Sequence, residues 1–254
     1  MIPAFTKVNG YVFDKDAYSW SLPSGSTCPG AERCLAIADR YTGKVWNGPK
    51  QEFRCYSAVT ERYPSVRQRL WTNFEAVKGK TPHQVASILT RAKPKRMKRC
   101  RIHTAGDFFS QTYFDGWLLF VMENPDIHFW AFTKSLTFWV NRLGQIPKNL
   151  VLQASCGGKH DHLIATHNLK YAKVVWSEDT ADRLGLVIDT DDYLAAYGRS
   201  PFALLENFSN KKPKRESIRK HQQAEEGGDI SLEIQVNSGS QDVQSNEEQN
   251  GEIL

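Results

Sequence analysis

A chain of 254 residues with 40% hydrophobic content can bury one sizeable core, so a single catalytic-sized domain is expected. No stretch is long and apolar enough to span a bilayer, and the N-terminus lacks the charged-then-apolar layout of a signal peptide, which together predict a soluble, cytoplasmic protein. The odd count of five cysteines argues against a disulfide framework and for reduced thiols that are available to a metal.

Charge is distributed unevenly along the chain. The net charge is +5, but residues 210–254 carry six Lys/Arg and nine acids, so residues 1–209 alone carry +8. A positive surface of this size favours a polyanionic partner such as nucleic acid, with a solvated basic face as the equal alternative. From Lys211 onward the chain loses its aromatics, and we predict one domain over 1–209 and a disordered polar tail over 210–254.

The first predicted element with chemical interest is a loop that carries Cys28 and Cys34 and is marked as a loop by a Pro-Gly pair. A third cysteine, Cys55, opens a predicted helix over 55–62, and a helix N-terminus favours the thiolate form. Neither Cys28 nor Cys34 lies in an apolar run, which favours ligation over packing. Three thiolates can hold a four-iron four-sulfur cluster with one iron free, or zinc with an open position; three unrelated cysteines are the alternative.

Two more cysteines and three histidines complete the set of candidate metal ligands. Cys156 ends a predicted strand and is the better candidate for a fourth ligand, whereas Cys100 begins a strand and is expected to lie far from the strand ends. The polar, glycine-rich context of His160, His162 and His167 predicts solvent exposure.

Strands and helices alternate through the middle of the chain. Strands are predicted over 99–103, 126–132, 150–155 and 172–176, and helices over 111–124, 135–143 and 160–167. The strands are too uniformly apolar for a one-sided antiparallel sheet, so we predict an α/β fold with a parallel sheet, as a complete or partial (β/α) barrel. The tryptophans Trp130, Trp139 and Trp176 are most simply core residues, although one that faces the strand ends could stack on a base.

Each predicted strand ends in a polar or glycine-rich cluster. The carboxyl ends of parallel strands form the active face of α/β folds, so the four clusters are expected to converge there. They cover residues 103–107, 133–135, 155–160 and 177–179.

Three charged residues in these clusters are candidate catalytic groups. Asp107 can bind an amine or hydroxyl of a ligand, or cap the following helix, and the two readings carry equal weight. Lys134 can bind a carboxylate or phosphate, the alternative being an exposed surface lysine. Asp179 is a candidate nucleophile or base, with a helix cap somewhat favoured at 177–179.

Five motifs stand out as a set, at residues 21–23, 27–34, 54–58, 101–110 and 130–135. Together they resemble the phage and plasmid gene product 88 family, and the resemblance covers roughly residues 15 to 205. It implies a mobile-element origin and a place in the host cytoplasm rather than a particular reaction.

The order of motifs is also similar to phage proteins of the gene product 37 and 68 type, which look like radical S-adenosylmethionine barrels. This likeness implies that three cysteines hold a four-iron four-sulfur cluster and that S-adenosylmethionine is the cofactor. The cysteines of this chain have five and twenty intervening residues, where the radical pattern has three and two. The likeness implies these roles: Cys28, Cys34 and Cys55 as cluster ligands, Tyr56 as the aromatic neighbour, and His103, Gly106 and Asp107 near the cofactor.

Three functions remain open at this point. The first is an iron-sulfur, radical S-adenosylmethionine-like enzyme that acts on nucleic acid or a nucleotide. The second is a metal-stabilised nucleic-acid-binding module without catalysis, and the third is a zinc-containing barrel that exchanges or modifies DNA bases, with Asp107 or Asp179 as nucleophile or base.

Overall fold

The computed structural model describes residues 2–8, 16–198 and 201–206. The chain divides into two compact units, Met1–Lys211 and Lys212–Leu254, and the second unit lies outside the described residues, as does the predicted tail. Within the described part, no helix has the length and apolar character needed to cross a membrane.

The first unit alternates strands and helices from its middle onward, as the sequence predicts. The strands are β1 Thr6–Lys7, β2 Ala17–Trp20, β3 Ala36–Ala38, β4 Val45–Asn47, β5 Arg99–Ile102, β6 His128–Thr133, β7 Leu150–Ser155, β8 Tyr171–Val175, β9 Val187–Ile188 and β10 Phe202–Leu205. The helices are α1 Tyr56–Thr60, α2 Pro64–Val77, α3 Pro82–Ala92, α4 Gln111–Met122, α5 Leu136–Val140, α6 His162–Thr166, α7 Glu178–Arg183 and α8 Tyr193–Tyr197, with a short 3₁₀ turn at Leu143–Gln145.

The central sheet has eight strands in the order β1-β2-β5-β6-β7-β8-β10-β9. All neighbours pair in parallel except β1 with β2, and β3 and β4 form a separate antiparallel hairpin. The α/β class and the mostly parallel sheet are confirmed. Among the described residues no pairing joins the two end strands β1 and β9, so the predicted barrel closure is not shown.

Local sequence signals explain where the helices begin. Pro82 occupies the first turn of α3, where its missing N–H costs nothing, and Thr81 and Gln84 form a reciprocal capping box there. Ser110 caps α4 by accepting a hydrogen bond from the amide of Tyr113. The alternative prediction of Asp107 as this cap is therefore wrong, because the helix begins three residues later than that prediction requires.

The two faces of the sheet pack against different helices. Along β6, Phe129 and Ala131 join the large core cluster that includes α3 and α4, while Trp130 and Phe132 point to the opposite face. On that opposite face α8 packs against β6 and β7. Trp130 of β6 donates a hydrogen bond to Asp192, the residue before α8 (3.1 Å), and Gln153 of β7 donates one to the carbonyl of Ala195 (3.1 Å).

The predicted tryptophan core is partly confirmed. Trp130 and Trp139 are buried, but Trp176 is 59% exposed. Trp176 follows the last residue of β8 and directly precedes Ser177, which caps α7, so it stands at the rim of the sheet rather than within it.

Candidate functional site

A pocket of about 180 Å³ opens at the carboxyl ends of β5, β6, β7, β8 and β10. It lies on the same face of the sheet as α8, since Phe132 and Leu204 of that face line it. Three of the four predicted strand-end clusters contribute to its wall, as the parallel sheet predicts. The sheet-side lining includes Arg101, Phe132, Lys134, Ser155, Val174 and Leu204.

The opposite wall carries three cysteines from two separate segments. Cys28, Cys34 and Cys55 all line the pocket, although twenty residues separate the second from the third. The sulfur of Cys55 is 3.0 Å from the hydroxyl oxygen of Ser57, which in turn lies 2.8 Å from that of Ser24. The fold thus gathers the thiols that the sequence singles out around one cavity.

The thiols influence one another electrostatically. Burial raises the pKa of Cys28 well above its usual value, and nearby Asp107 and Cys55 raise it further. Burial also raises the pKa of Cys34, while the neighbouring ammonium of Lys134 opposes that rise. These two thiols are therefore protonated at neutral pH unless a cation joins them.

The loop of residues 28–34, called the cysteine loop below, is held tightly against the sheet. Gly30 lies so close to β6 that a Cβ atom on it would stand 2.0 Å from the carbonyl oxygen of Lys134. The Gly30 carbonyl accepts a hydrogen bond from the Lys159 amide (2.9 Å), and Ala31 forms a β-bridge with Gly158. The loop that follows β7 therefore positions the cysteines.

Asp107 joins two strand ends. Its carboxylate accepts hydrogen bonds from the Phe108 amide (2.7 Å), the Thr133 hydroxyl (2.6 Å) and the Lys134 amide (2.8 Å). Burial raises the pKa of Asp107, while these hydrogen bonds lower it. Asp107 lines the pocket, and its contacts give it a clear role in positioning Lys134.

The pocket wall is rich in cationic side chains. Lys134 is 7% exposed and donates a hydrogen bond to the Ser155 hydroxyl, so the alternative of an exposed surface lysine is wrong. Arg101 forms a buried ion pair with Asp192 (3.1 Å) and lies over the ring of Phe132. Arg54 also lines the pocket, as do the acids Asp107 and Glu206, so cationic side chains outnumber acidic ones three to two in its wall.

His103 lines the pocket, yet its ring belongs to the aromatic core. The ring contacts Phe108, Tyr113 and Trp117, and its Nε2 lies 3.0 Å from the Tyr113 hydroxyl. A backbone φ of 69° turns the side chain in this direction. Burial lowers the pKa of His103 to about 3, so the ring is neutral.

Gly106 and Tyr56 fix the position of the backbone that forms the pocket wall. Gly106 has a φ of +81°, and a Cβ there would stand 2.6 Å from the Thr27 hydroxyl oxygen, so only glycine fits. The hydroxyl of Tyr56 donates a hydrogen bond to the carbonyl of Thr104 (2.9 Å), which links α1 to the end of β5.

Two predicted site residues are not part of the pocket wall. Cys156 follows Ser155, which does line the pocket, and successive residues of an extended chain point to opposite sides. Asp179 is exposed in the first turn of α7, where Ser177 is the cap. Cys100 is buried in the large core cluster, as the prediction that it lies far from the strand ends requires.

Sequence reasoning missed Arg101 and Arg54 as pocket residues. Arg101 had a recognisable signal, since it is a charged residue inside a predicted strand, two residues before the polar cluster at the end of that strand. Arg54 directly precedes Cys55 and carries no such signal.

The donor atoms do not form a closed metal site as they stand. Within the part of the chain that the structure describes, no group of three or more His, Cys, Asp or Glu side chains is arranged to hold a metal ion. The three thiols surround a shared cavity, and the chemistry of this donor set suits iron-sulfur or zinc.

The fold and the pocket define an α/β protein with a three-cysteine pocket at the carboxyl edge of a mostly parallel sheet. The profile of the family described as Gene product 88 matches residues 5–224, and the chain belongs to this family. The chain is similar to the Gene 88 protein of Mycobacterium phage L5 (31% identical over 151 residues, 55% of this chain and 56% of the relative). It is also similar to the Gene 88 protein of Mycobacterium phage D29 (30% identical over 151 residues, with the same shares).

The matched region thus spans a little over half the length of both relatives, whose names state no activity. These likenesses support a phage origin. No solved structure matches the chain.

Proposed function

We propose that Cys28, Cys34 and Cys55 hold a four-iron four-sulfur cluster and that the protein is a radical S-adenosylmethionine-like enzyme, working in the reducing host cytoplasm on a nucleic acid or nucleotide. The observation that carries the proposal is the convergence of the three thiols on one cavity with the polar strand ends. When bound, such a cluster supplies single electrons and an open iron for a sulfonium cofactor.

The thiol donor set fits this group, with one requirement. Because the thiols line the cavity without forming a closed site, loading would require the three sulfur atoms to move closer together. Cys55 opens α1, and its hydrogen bond with Ser57 orients the sulfur. A hydroxyl that donates to a cysteine sulfur also tunes the redox potential of a bound cluster.

The remaining pocket residues bind and orient the ligand. Lys134 offers a cationic group on the sheet side that would bind a carboxylate or phosphate, while Arg101 beside it is already paired with Asp192. Asp107 holds the backbone of Lys134 in place through its amide. The apolar side chains Phe132, Val174 and Leu204 exclude water from the inner end of the pocket.

Metal content tests the proposal directly. Protein reconstituted anaerobically with iron and sulfide is expected to turn brown, and single Cys28→Ala, Cys34→Ala and Cys55→Ala variants are expected to lose the absorbance. Cys100→Ala is the matched control, because this thiol is buried in the core and its loss should leave iron content unchanged. Cys156→Ala decides whether the remaining thiol takes part.

The outcomes separate the candidate functions. If the wild type binds iron and each of the three single variants loses it, the proposal is supported. The next step is then an assay of S-adenosylmethionine cleavage. A colourless protein, or iron retained by all three single variants, contradicts it. Stoichiometric zinc lost in the same variants would favour the structural or base-modifying zinc site instead.

A further inference from the structure

The strongest concentration of positive charge lies outside the pocket. Residues 91–101 contain seven Lys/Arg and no Asp or Glu. The segment runs from the last turn of α3 into β5, so it approaches the sheet at the amino end of the strands. Because the pocket lies at the carboxyl ends of the strands, the pocket and the basic segment lie at opposite ends of the strands.

The tip of this segment is a well-anchored turn. The amide of Met97 donates a hydrogen bond to the carbonyl of Pro94 (3.1 Å), which closes a turn with Lys95 and Arg96 at its two central positions. The side chain of Met97 is buried in the large core cluster, and this packing anchors the turn to the core. The backbone of Lys98 is held on both sides by hydrogen bonds with Asp16 and His128.

The exposed cations of the turn are available to a partner. Lys95, Arg96 and Lys98 are exposed, and none forms an ion pair among the residues that the structure describes. By contrast, Arg99 at the start of β5 pairs with Asp16. Three unpaired like charges on a fixed turn repel one another, and a polyanion relieves that repulsion.

Neighbouring loops at the same edge strengthen this field. The loops that lead into parallel strands all lie at the amino ends of those strands. The loops before β7 and β8 therefore bring Lys148 and Lys170 to the same end of the sheet as the turn. The loop before β6 brings Glu123 and Asp126, which offset part of the charge. Among the described residues of these loops, Lys95, Arg96, Lys98, Lys148 and Lys170 outnumber Glu123 and Asp126, and Asp16 is paired with Arg99.

We propose that the turn formed by Lys95, Arg96 and Lys98 binds the phosphate backbone of duplex DNA without reading its sequence. The turn offers point charges and no aromatic side chain, so it suits phosphates rather than unstacked bases. Met97, its one large apolar side chain, is buried and unable to enter a bilayer, which favours nucleic acid over a lipid surface. The inference goes beyond the proposed metal centre and does not depend on it.

The position of the turn assigns it an anchoring role. Lys98 and His103 are five positions apart along the chain, which in a strand corresponds to roughly 16 Å. DNA bound at the turn therefore lies at the amino ends of the strands, whereas the thiols lie at the carboxyl ends. The turn would tether the protein to DNA while the pocket remains open to a separate ligand.

The test is a salt titration of binding to a labelled DNA duplex, made with the full chain. The Lys95→Gln/Arg96→Gln/Lys98→Gln variant is expected to bind at least about tenfold more weakly at low salt, with a slope of log K against log salt that falls by about 2 to 3. Lys44→Gln/Arg62→Gln/Lys78→Gln is the matched control, since it removes three exposed cations elsewhere. The control is expected to keep most of the affinity and the slope.

Three results would overturn the inference: an unchanged duplex affinity in the turn variant, an equal loss in the control, or binding to phosphatidylserine vesicles that replaces duplex binding. Circular dichroism of the variants verifies that both are folded. Iron uptake by the turn variant is expected to equal that of the wild type, so a failure of the DNA site and a failure of the metal centre are distinguishable.

Discussion

Replacing Gly30 with alanine tests whether the close fit of the cysteine loop against β6 holds the thiols around the pocket. The new Cβ would stand 2.0 Å from the carbonyl oxygen of Lys134 and 2.5 Å from its carbonyl carbon. Both are backbone atoms of a buried strand end, so no side chain can rotate away. The loop itself has to move, and it carries Cys28 and Cys34 with it.

The size of the effect follows from what that movement breaks. A normal contact between these atoms exceeds 3 Å, so the loop must shift by roughly 1 Å or more. Such overpacking costs about 1–3 kcal/mol. Weakening the hydrogen bond from the Lys159 amide to the Gly30 carbonyl adds about 1 kcal/mol. We expect Gly30→Ala to lower the free energy of unfolding by about 2–4 kcal/mol, and the melting temperature by roughly 4–16 °C for a unit of this size.

The assay pairs stability with metal uptake. Thermal and denaturant unfolding measure the first, and iron bound after anaerobic reconstitution measures the second. Gly144→Ala is the matched control, because no atom lies within 4 Å of the new Cβ and the backbone there is not left-handed. The control is expected to stay within about 0.5 kcal/mol of the wild type and to bind iron as the wild type does.

A melting temperature for Gly30→Ala equal to that of the control would refute the reasoning about the loop, since it would mean that the contact with β6 is not maintained in solution. A destabilised variant that still takes up iron normally would show that the thiols do not depend on this docking.

Three further predictions concern single groups around the pocket. Burial sets the pKa of His103 to about 3, below its unfolded value, so its stabilising contribution is complete above about pH 6.5 and is lost as the pH falls. Going from pH 7.5 to 4.5 should therefore cost the wild type about 2–3 kcal/mol of unfolding free energy that His103→Phe does not lose, and parallel denaturant curves for both proteins at the two pH values check this. Asp107→Asn puts an amide NH₂ where a carboxylate oxygen accepts a hydrogen bond, and it should cost about 1–3 kcal/mol, whereas exposed Asp126→Asn should cost less than about 0.5 kcal/mol; an equal effect in urea unfolding would contradict the assigned contacts. Burial raises the pKa of Cys28, so cobalt affinity, followed by thiolate absorbance, should rise about tenfold per pH unit for each proton displaced, and a flat profile between pH 6.5 and 8 would exclude these thiols as ligands.

Local patterns were sufficient for the four central strands β5 to β8 and for α4, whereas the other four strands of the sheet and the helices α2 and α3 were not predicted. The predicted strand 150–155 coincides with β7, and the strand 99–103 differs from β5 by one residue. The helix predicted over 111–124 ends two residues early, at Met122. These elements are read well because strands buried on both faces and a strongly apolar helix leave continuous apolar runs in the sequence.

Sheet closure and individual side-chain roles required the tertiary structure. Alternating strands and helices are compatible with a barrel and with an open sheet, and the choice depends on whether the end strands pair, a contact that local patterns do not encode. Trp176 was assigned to the core from its type alone, although its place just beyond β8 exposes it. Asp107 was equally compatible with a cap and a ligand contact, and its partners on β6 are 26 or more residues away.

By itself, the sequence determined the class of fold, the convergence of polar strand ends and the three thiols worth testing, because each depends on residue type and short-range spacing. Only the tertiary structure decided that Cys28, Cys34 and Cys55 share one cavity, that Ser155 rather than Cys156 faces it, and that Lys134 is buried beside it. Those outcomes depend on how a glycine-containing loop packs against a strand distant in sequence, which is a long-range contact that no local pattern specifies.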